Sequence, residues 1–200
     1  FLLAWQGDQR GTQDIYGGLR LADGQWQGDW LAHPAQGSQE HPQAVYNPDG
    51  DEYLVVWQDY RSGVNWNVYG QRVSASGQLL GANIAIAIVR SSEESLNHQL
   101  EPRIAYGDNI YLVVWQQYVS SSSYKIVGQR ISALGELVGT TLSFNRFDEL
   151  PKEQPTDLLY NTTAHQFLVL SQYEENEDWN IWGWPVSPAG IVGTPLQITS

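Results

Sequence analysis

The chain of 200 residues has no cysteine, which excludes disulfides, thiolate metal sites, iron–sulfur clusters and cysteine nucleophiles together. It has no methionine either, so Phe1 is not a translation start, and the sequence reads as a mature product, an excised piece or a partial chain. Positive charge is scarce: Lys and Arg number 10 against 22 Asp and Glu, a formal net charge of −12. A field of that sign repels phosphate backbones and anionic lipid, so neither nucleic acid nor a membrane surface is an expected partner. No apolar run is long enough for a helix to cross a bilayer. Helical periodicity is missing as well, and the 19 Gly and 9 Pro punctuate the chain too densely for a long helix. What is present is a large apolar fraction, 42%, with 9 Trp and 11 Tyr against only 4 Phe, enough to build a packed core with polar handles.

The sequence repeats itself. Four segments share one pattern: Phe1-Leu-Leu-Ala-Trp5, Tyr53-Leu-Val-Val-Trp57, Tyr111-Leu-Val-Val-Trp115 and Phe167-Leu-Val-Leu-Ser171. Each is followed in step by a short β-type run closed by Gly17, Gly70, Gly128 or Gly183, then by Gly24, Gly77, Gly135 or Gly190, and then by Gly28, Gly81, Gly139 or Gly193. Three units carry an upstream segment ending in tyrosine, namely Pro42–Tyr46, Pro102–Tyr106 and Pro155–Tyr160. The units span about residues 1–40, 41–98, 99–152 and 153–200, and form a single domain.

Each unit reads as four strands, a to d: the Pro-to-Tyr segment, the Tyr-Leu-Val-Val-Trp segment, the run through Ile-Tyr-Gly, and a last strand after the third glycine. Strand b does not alternate, which marks a strand buried on both faces. A lone four-stranded sheet with two apolar faces is not stable in water, whereas sheets stacked face to face around an axis cover both. The expected fold is therefore all-β, a β-propeller of four units and about 15 strands, with unit 1 lacking strand a, or part of a longer propeller. The uncovered edge of Phe1–Trp5 calls for a further stretch of the same chain, or for strand exchange with another chain.

The units resemble a repeat of bacterial secreted and surface proteins, carried most fully by Tyr46-Asn47, Tyr53–Asp59, Arg61 and Tyr69-Gly-Gln-Arg-Val-Ser74. Unit 3 keeps Gly128-Gln-Arg-Ile-Ser132 but has Gln117 in place of Asp59, and unit 4 has Ser171 for the tryptophan and Trp184-Pro185 for Gln-Arg. The resemblance implies a propeller-like module, extracellular or at the cell surface, the periplasm included. It carries no catalytic residues across.

In such a scaffold the b–c and d–a connections share one face. Here they differ between units, while the a–b and c–d turns are short and uniform, so binding residues are expected on the variable face. The candidates are Asp8 and Arg10, repeated as Asp59 and Arg61; the aromatic residues Trp66, Tyr118, Tyr124 and Trp179; and Glu174 and Asp178 from the acidic run 174–178. An Asp–Arg pair also serves to staple its own loop, and the rings also serve to cap blade cores. Asn47, Asp49, Asp51 and Glu52 read as a hairpin turn, with calcium left open. His33, His41, His98 and His165 share no metal-ligand spacing, and no cofactor is expected. Asn161-Thr-Thr163 matches a glycosylation acceptor. No phosphate-binding loop and no nucleophile elbow is present. The functional expectation is a non-enzymatic extracellular binding or assembly module for a protein or glycan partner. The alternatives are a propeller hydrolase of glycans and a structural subunit of a surface assembly.

Overall fold

The computed structural model describes residues 1–8, 11–31, 36–89, 97–120, 123–144, 153–175 and 178–199. It contains four antiparallel meanders and, among the described residues, no helix. The first sheet is β1 (Leu2–Gly7), β2 (Asp14–Arg20) and β3 (Trp26–Leu31). The second is β4 (Gln39–Asn47), β5 (Glu52–Asp59), β6 (Asn67–Ser74) and β7 (Leu79–Ala87). The third is β8 (Gln99–Gly107), β9 (Ile110–Ser120), β10 (Ser123–Ser132) and β11 (Leu137–Ser143). The fourth is β12 (Glu153–Asn161), β13 (Gln166–Glu175), β14 (Asp178–Val186) and β15 (Leu196–Gln197). The expected all-β propeller architecture is present, with 15 strands and a first sheet of three among the described residues.

The sheets pack in chain order, and their inner strands adjoin in succession: β1 against β4, β4 against β8, β8 against β12. The apolar layers lie between sheets. Leu54, Val56 and Ile86 of the second meet Tyr111, Val113 and Trp115 of the third. Leu112, Val114 and Phe144 of the third meet Leu158, Phe167, Val169 and Trp184 of the fourth. Strands β5 and β9 are buried on both faces because each face has a neighbouring sheet.

The repeated glycines have two physical causes. Gly24, Gly77, Gly135 and Gly190 close the c–d turns with φ of 82–88°, where an L side chain is strained. Gly70 and Gly128 lie flat in strand c because Ile86 of strand d and Phe144, just after strand d, sit over them, at 3.1 and 3.0 Å from where a Cβ would be.

Side chains clasp each sheet to its successor. Gln6 Oε1 accepts the His41 N–H (2.9 Å), and Gln58 Oε1 accepts the Glu101 N–H (3.1 Å). Arg72 Nη1 donates to the Leu134 carbonyl (2.9 Å), and Arg130 Nη1 to the Pro188 carbonyl (3.1 Å), each in the c–d turn of the next sheet.

The strand-b tryptophans are not all equivalent. Trp57 and Trp115 are fully buried. Trp5 is half-buried, packed on Tyr16 and Trp26 instead of between two sheets. In the fourth sheet Ser171 stands in the tryptophan's place, and the Trp184 indole N–H donates to its Oγ (3.3 Å). The volume is refilled from the neighbouring strand.

Candidate functional site

The residues expected to bind a ligand fall into three groups. Asp59 is fully buried, and its two oxygens accept the Trp57 indole N–H, the Arg61 backbone N–H and two guanidinium bonds from Arg61. Arg61 also lies 3.8 Å above the centre of the Tyr69 ring and reaches Asn83 Oδ1. The pair thus staples its own loop to the sheet. Asp8 is exposed, and Arg10 lies outside the described residues.

The aromatic candidates pack mainly against other rings, tilted or edge-on. Tyr60 meets Trp66 at 5.2 Å between ring centres, and Tyr118 meets Tyr124 at 5.0 Å and His98 at 5.8 Å. His98 Nδ1 accepts the Trp66 N–H, and burial holds this imidazole below its ordinary pKa. Trp179 is exposed. Its strand partner is Glu174, and Asp178 lies opposite Glu175 at the tip of the β13–β14 hairpin.

The long b–c loops expected in units 3 and 4 are not there. Strands β9 and β10 pair out to Ser120 and Ser123, and β13 and β14 out to Glu175 and Asp178. Tyr118 opposite Tyr124 makes a cross-strand aromatic pair that carries the ladder outward. Most of both d–a insertions, 91–100 and 145–154, lies outside the described residues, as does His33. The oxygens of the Asn47–Glu52 turn are taken by protein donors. Asn47 Oδ1 accepts the N–H groups of Asp49 and Gly50, Asp51 accepts the Tyr46 hydroxyl, and Glu52 binds Arg72.

Two clusters not proposed as sites from the sequence emerge on the inner strands. At one end, His41 and Glu101 have φ of 57° and 52°, each just before the proline of strand a, where the pairing with strand b slips. The slip turns both side chains toward each other across adjacent sheets: His41 Nδ1 lies 3.0 Å from Glu101 Oε1. Arg103 Nη1 lies 3.5 Å from Glu101 Oε2. Gln58 links a second carboxylate to the group, since its Nε2 donates to Glu40 Oε2 (3.4 Å) while its Oε1 holds the Glu101 backbone. Two carboxylates from neighbouring inner strands, one beside a guanidinium and an imidazole and the other beside a neutral amide, are chemically unlike. The signal in the sequence was the residue preceding each strand-a proline, a polar residue in every unit that has one.

At the opposite end, Tyr46, Tyr106 and Tyr160 gather with Asp49, Asp108 and His165 around a cavity of about 300 Å³. The Tyr106 hydroxyl donates to Asp49 (2.8 Å). His165 Nδ1 lies 3.2 Å from both oxygens of Asp108. Burial and the bond to Asp108 push the Tyr160 hydroxyl up to about 12, and the bonds from Tyr160 and His165 hold Asp108 below its usual value. The a–b turns were expected to be short and uniform, with binding residues on the other face, and this cluster lies on them.

The chain is similar in fold to carbohydrate-active enzymes. An endo-arabinase from Bacteroides thetaiotaomicron VPI-5482 matches with a TM-score of 0.60 and 12% identity, over 100% of this chain and 75% of that one. An α-L-arabinofuranosidase from Lactobacillus brevis matches with a TM-score of 0.55 and 8% identity, over 100% of this chain and 78% of that one. A periplasmic gluconolactonase from Pseudomonas aeruginosa matches with a TM-score of 0.56 and 16% identity, over 98% of this chain and 53% of that one. No family model matches the sequence, and no curated protein does.

These likenesses correct the expectation that the chain is not an enzyme, because its fold is one on which glycoside hydrolases are built. The expectation rested on the lack of a local catalytic motif. A propeller assembles its chemistry from separate sheets, so such a motif need not exist. No helix among the described residues is long and apolar enough to cross a membrane.

Proposed function

We propose that the protein hydrolyses glycosidic bonds at the inner-strand cluster of Glu40, His41, Glu101 and Arg103. The observation that carries this reading is the pair of carboxylates on adjacent inner strands, joined through Gln58 but differing in their partners. Glycoside hydrolysis needs two carboxyl groups flanking the scissile bond, one to hold negative charge and one to donate a proton. Glu101, between His41 and Arg103, is the residue that stabilises or attacks the developing cation. Glu40, beside the neutral Gln58 amide, is the proton donor. The substrate class is pentose-rich polysaccharide: arabinan first, after the endo-arabinase and the α-L-arabinofuranosidase, and xylan second, after a xylan β-1,4-xylosidase from Bacillus halodurans C-125. This chain matches that xylosidase with a TM-score of 0.52 and 13% identity, over 96% of its own length and 39% of the other's. A polymeric substrate supports a location outside the cytoplasm, at the cell surface or in the periplasm, with a glycan as partner.

The test is reducing-sugar release from arabinan, xylan and aryl arabinofuranosides and xylosides. Glu101→Gln and Glu40→Gln are each expected to cut the rate by about 100-fold or more with an unchanged melting curve. Absence of hydrolysis by the parent protein on the whole panel, or full activity in Glu101→Gln, overturns the reading.

A further inference from the structure

Blade three lacks the arginine that fills a space in blade two, and its other residues there are smaller or uncharged, which leaves a cavity. In the second sheet the Arg61 guanidinium fills the space bounded by Asp59, Tyr69 and Asn83. Asn83 in turn donates to Gln71 Oε1 (2.8 Å). In the third sheet the same positions hold Gln117, Val127, Thr141 and Gln129, and Val119 stands where Arg61 does. Val119 is an exposed residue of the β9 extension and plugs nothing. A cavity of about 360 Å³ opens there, between the end of β7 and strands β9–β11. Its size is within the roughly 300–1,000 Å³ of small-molecule sites.

The lining fixes the chemistry of an occupant. Asn97, Gln117 and Gln129 supply carboxamides and Thr141 a hydroxyl, while Ile86 and Val127 are among the apolar walls. The Gln99 amide also lines the cavity but is taken up by the protein, its Oε1 by the Trp115 indole N–H and its Nε2 by the Asn97 oxygens. No lining residue is ionisable. Gln117 Nε2 is committed to Asn97 Oδ1, and Gln129 Nε2 to the Arg130 and Val138 carbonyls. Among the described residues, the Oε1 atoms of Gln117 and Gln129 accept no bond. Losing Arg61 together with Asp59 removes both charges at once, so the vacated space suits a neutral ligand and not a replacement cation. The two amide oxygens match hydroxyl donors, the Thr141 hydroxyl can donate or accept, and the aliphatic walls match C–H faces.

We propose that this cavity between the second and third sheets is a binding site for a single neutral sugar residue. It is formed by residues other than Glu40 and Glu101 and is separate from the hydrolytic cluster. The test is a titration with methyl α-L-arabinofuranoside and methyl β-D-xyloside, read by NMR on the side-chain amide resonances of Asn97, Gln99, Gln117 and Gln129. These resonances are expected to shift in the parent protein and equally in Glu101→Gln. Thr141→Trp places an indole from the exposed outer strand into the cavity and should weaken the response at least tenfold while leaving polysaccharide hydrolysis intact. Gln117→Leu should weaken it similarly. Resonances that stay still with both sugars, that respond undiminished in Thr141→Trp, or that respond more strongly to methylguanidinium than to either sugar overturn the proposal.

Discussion

Asp14 and Asn67 open strand c in successive units and meet different fates. Asn67 donates to the Asn65 carbonyl and accepts the Val89 N–H. Asp14 is equally buried, and among the described residues neither of its oxygens has a hydrogen-bond partner. A buried carboxylate without donors is costly. Asp14→Asn removes the charge and is expected to raise stability by about 1 kcal/mol, read as a shift in denaturant midpoint. His98 supplies a pH dependence of known sign. Its folded-state pKa is lowered by burial, so the stability that it contributes is present above its unfolded value of about 6.5 and is lost as pH falls through the folded value. The Trp66 N–H, which needs an unprotonated Nδ1, loses its acceptor in that range. The melting temperature of the parent protein should therefore fall more steeply below pH 6.5 than that of His98→Gln, and parallel curves would refute this.

Among elements, strand b was the most legible. Leu54-Val-Val56 and Leu112-Val-Val114 do not alternate, and each proves to be buried between two sheets. Trp57→Ala should cost about 3–5 kcal/mol and Trp5→Ala clearly less, because Trp5 has a neighbouring sheet on one side only; equal losses in urea melts would contradict this. The outer parts of the b–c connections were misread. Polar residues such as Gln117 and Ser120 look like loop, yet the ladder continues because rings pair across it at Tyr118 and Tyr124. Pairing partners far apart in the chain decide strand length, and local composition does not report them. The inner-strand cluster was hidden for a related reason. His41 and Glu101 lie far apart in sequence, and a left-handed residue before proline, which turns both side chains, is not a conformation that sequence preference announces.

At the scale of the molecule, cohesion between sheets comes from apolar layers plus polar clasps. Arg72 serves both its own sheet and the next: it binds Glu52 at 2.7 and 2.8 Å and the Leu134 carbonyl. Arg72→Ala strands the buried Glu52 carboxylate and should cost about 3 kcal/mol, most of it recovered in Arg72→Met/Glu52→Gln, where neither charge remains. Failure of the double variant to recover would move the loss to the Leu134 bond. The clasps also share a direction. Gln6, Gln58, Arg72 and Arg130 all reach forward, and all land on main-chain groups of the following sheet. For these four clasps the receiving unit needs no matching side chain, only a turn and a kinked strand of the right shape, whereas His41–Glu101 and Tyr106–Asp49 are matched pairs across one of the same joints. Clasps of this kind tolerate side-chain change in the receiving unit at the points where they land, so a unit copied in tandem would keep these bonds before any compensating substitution had arisen.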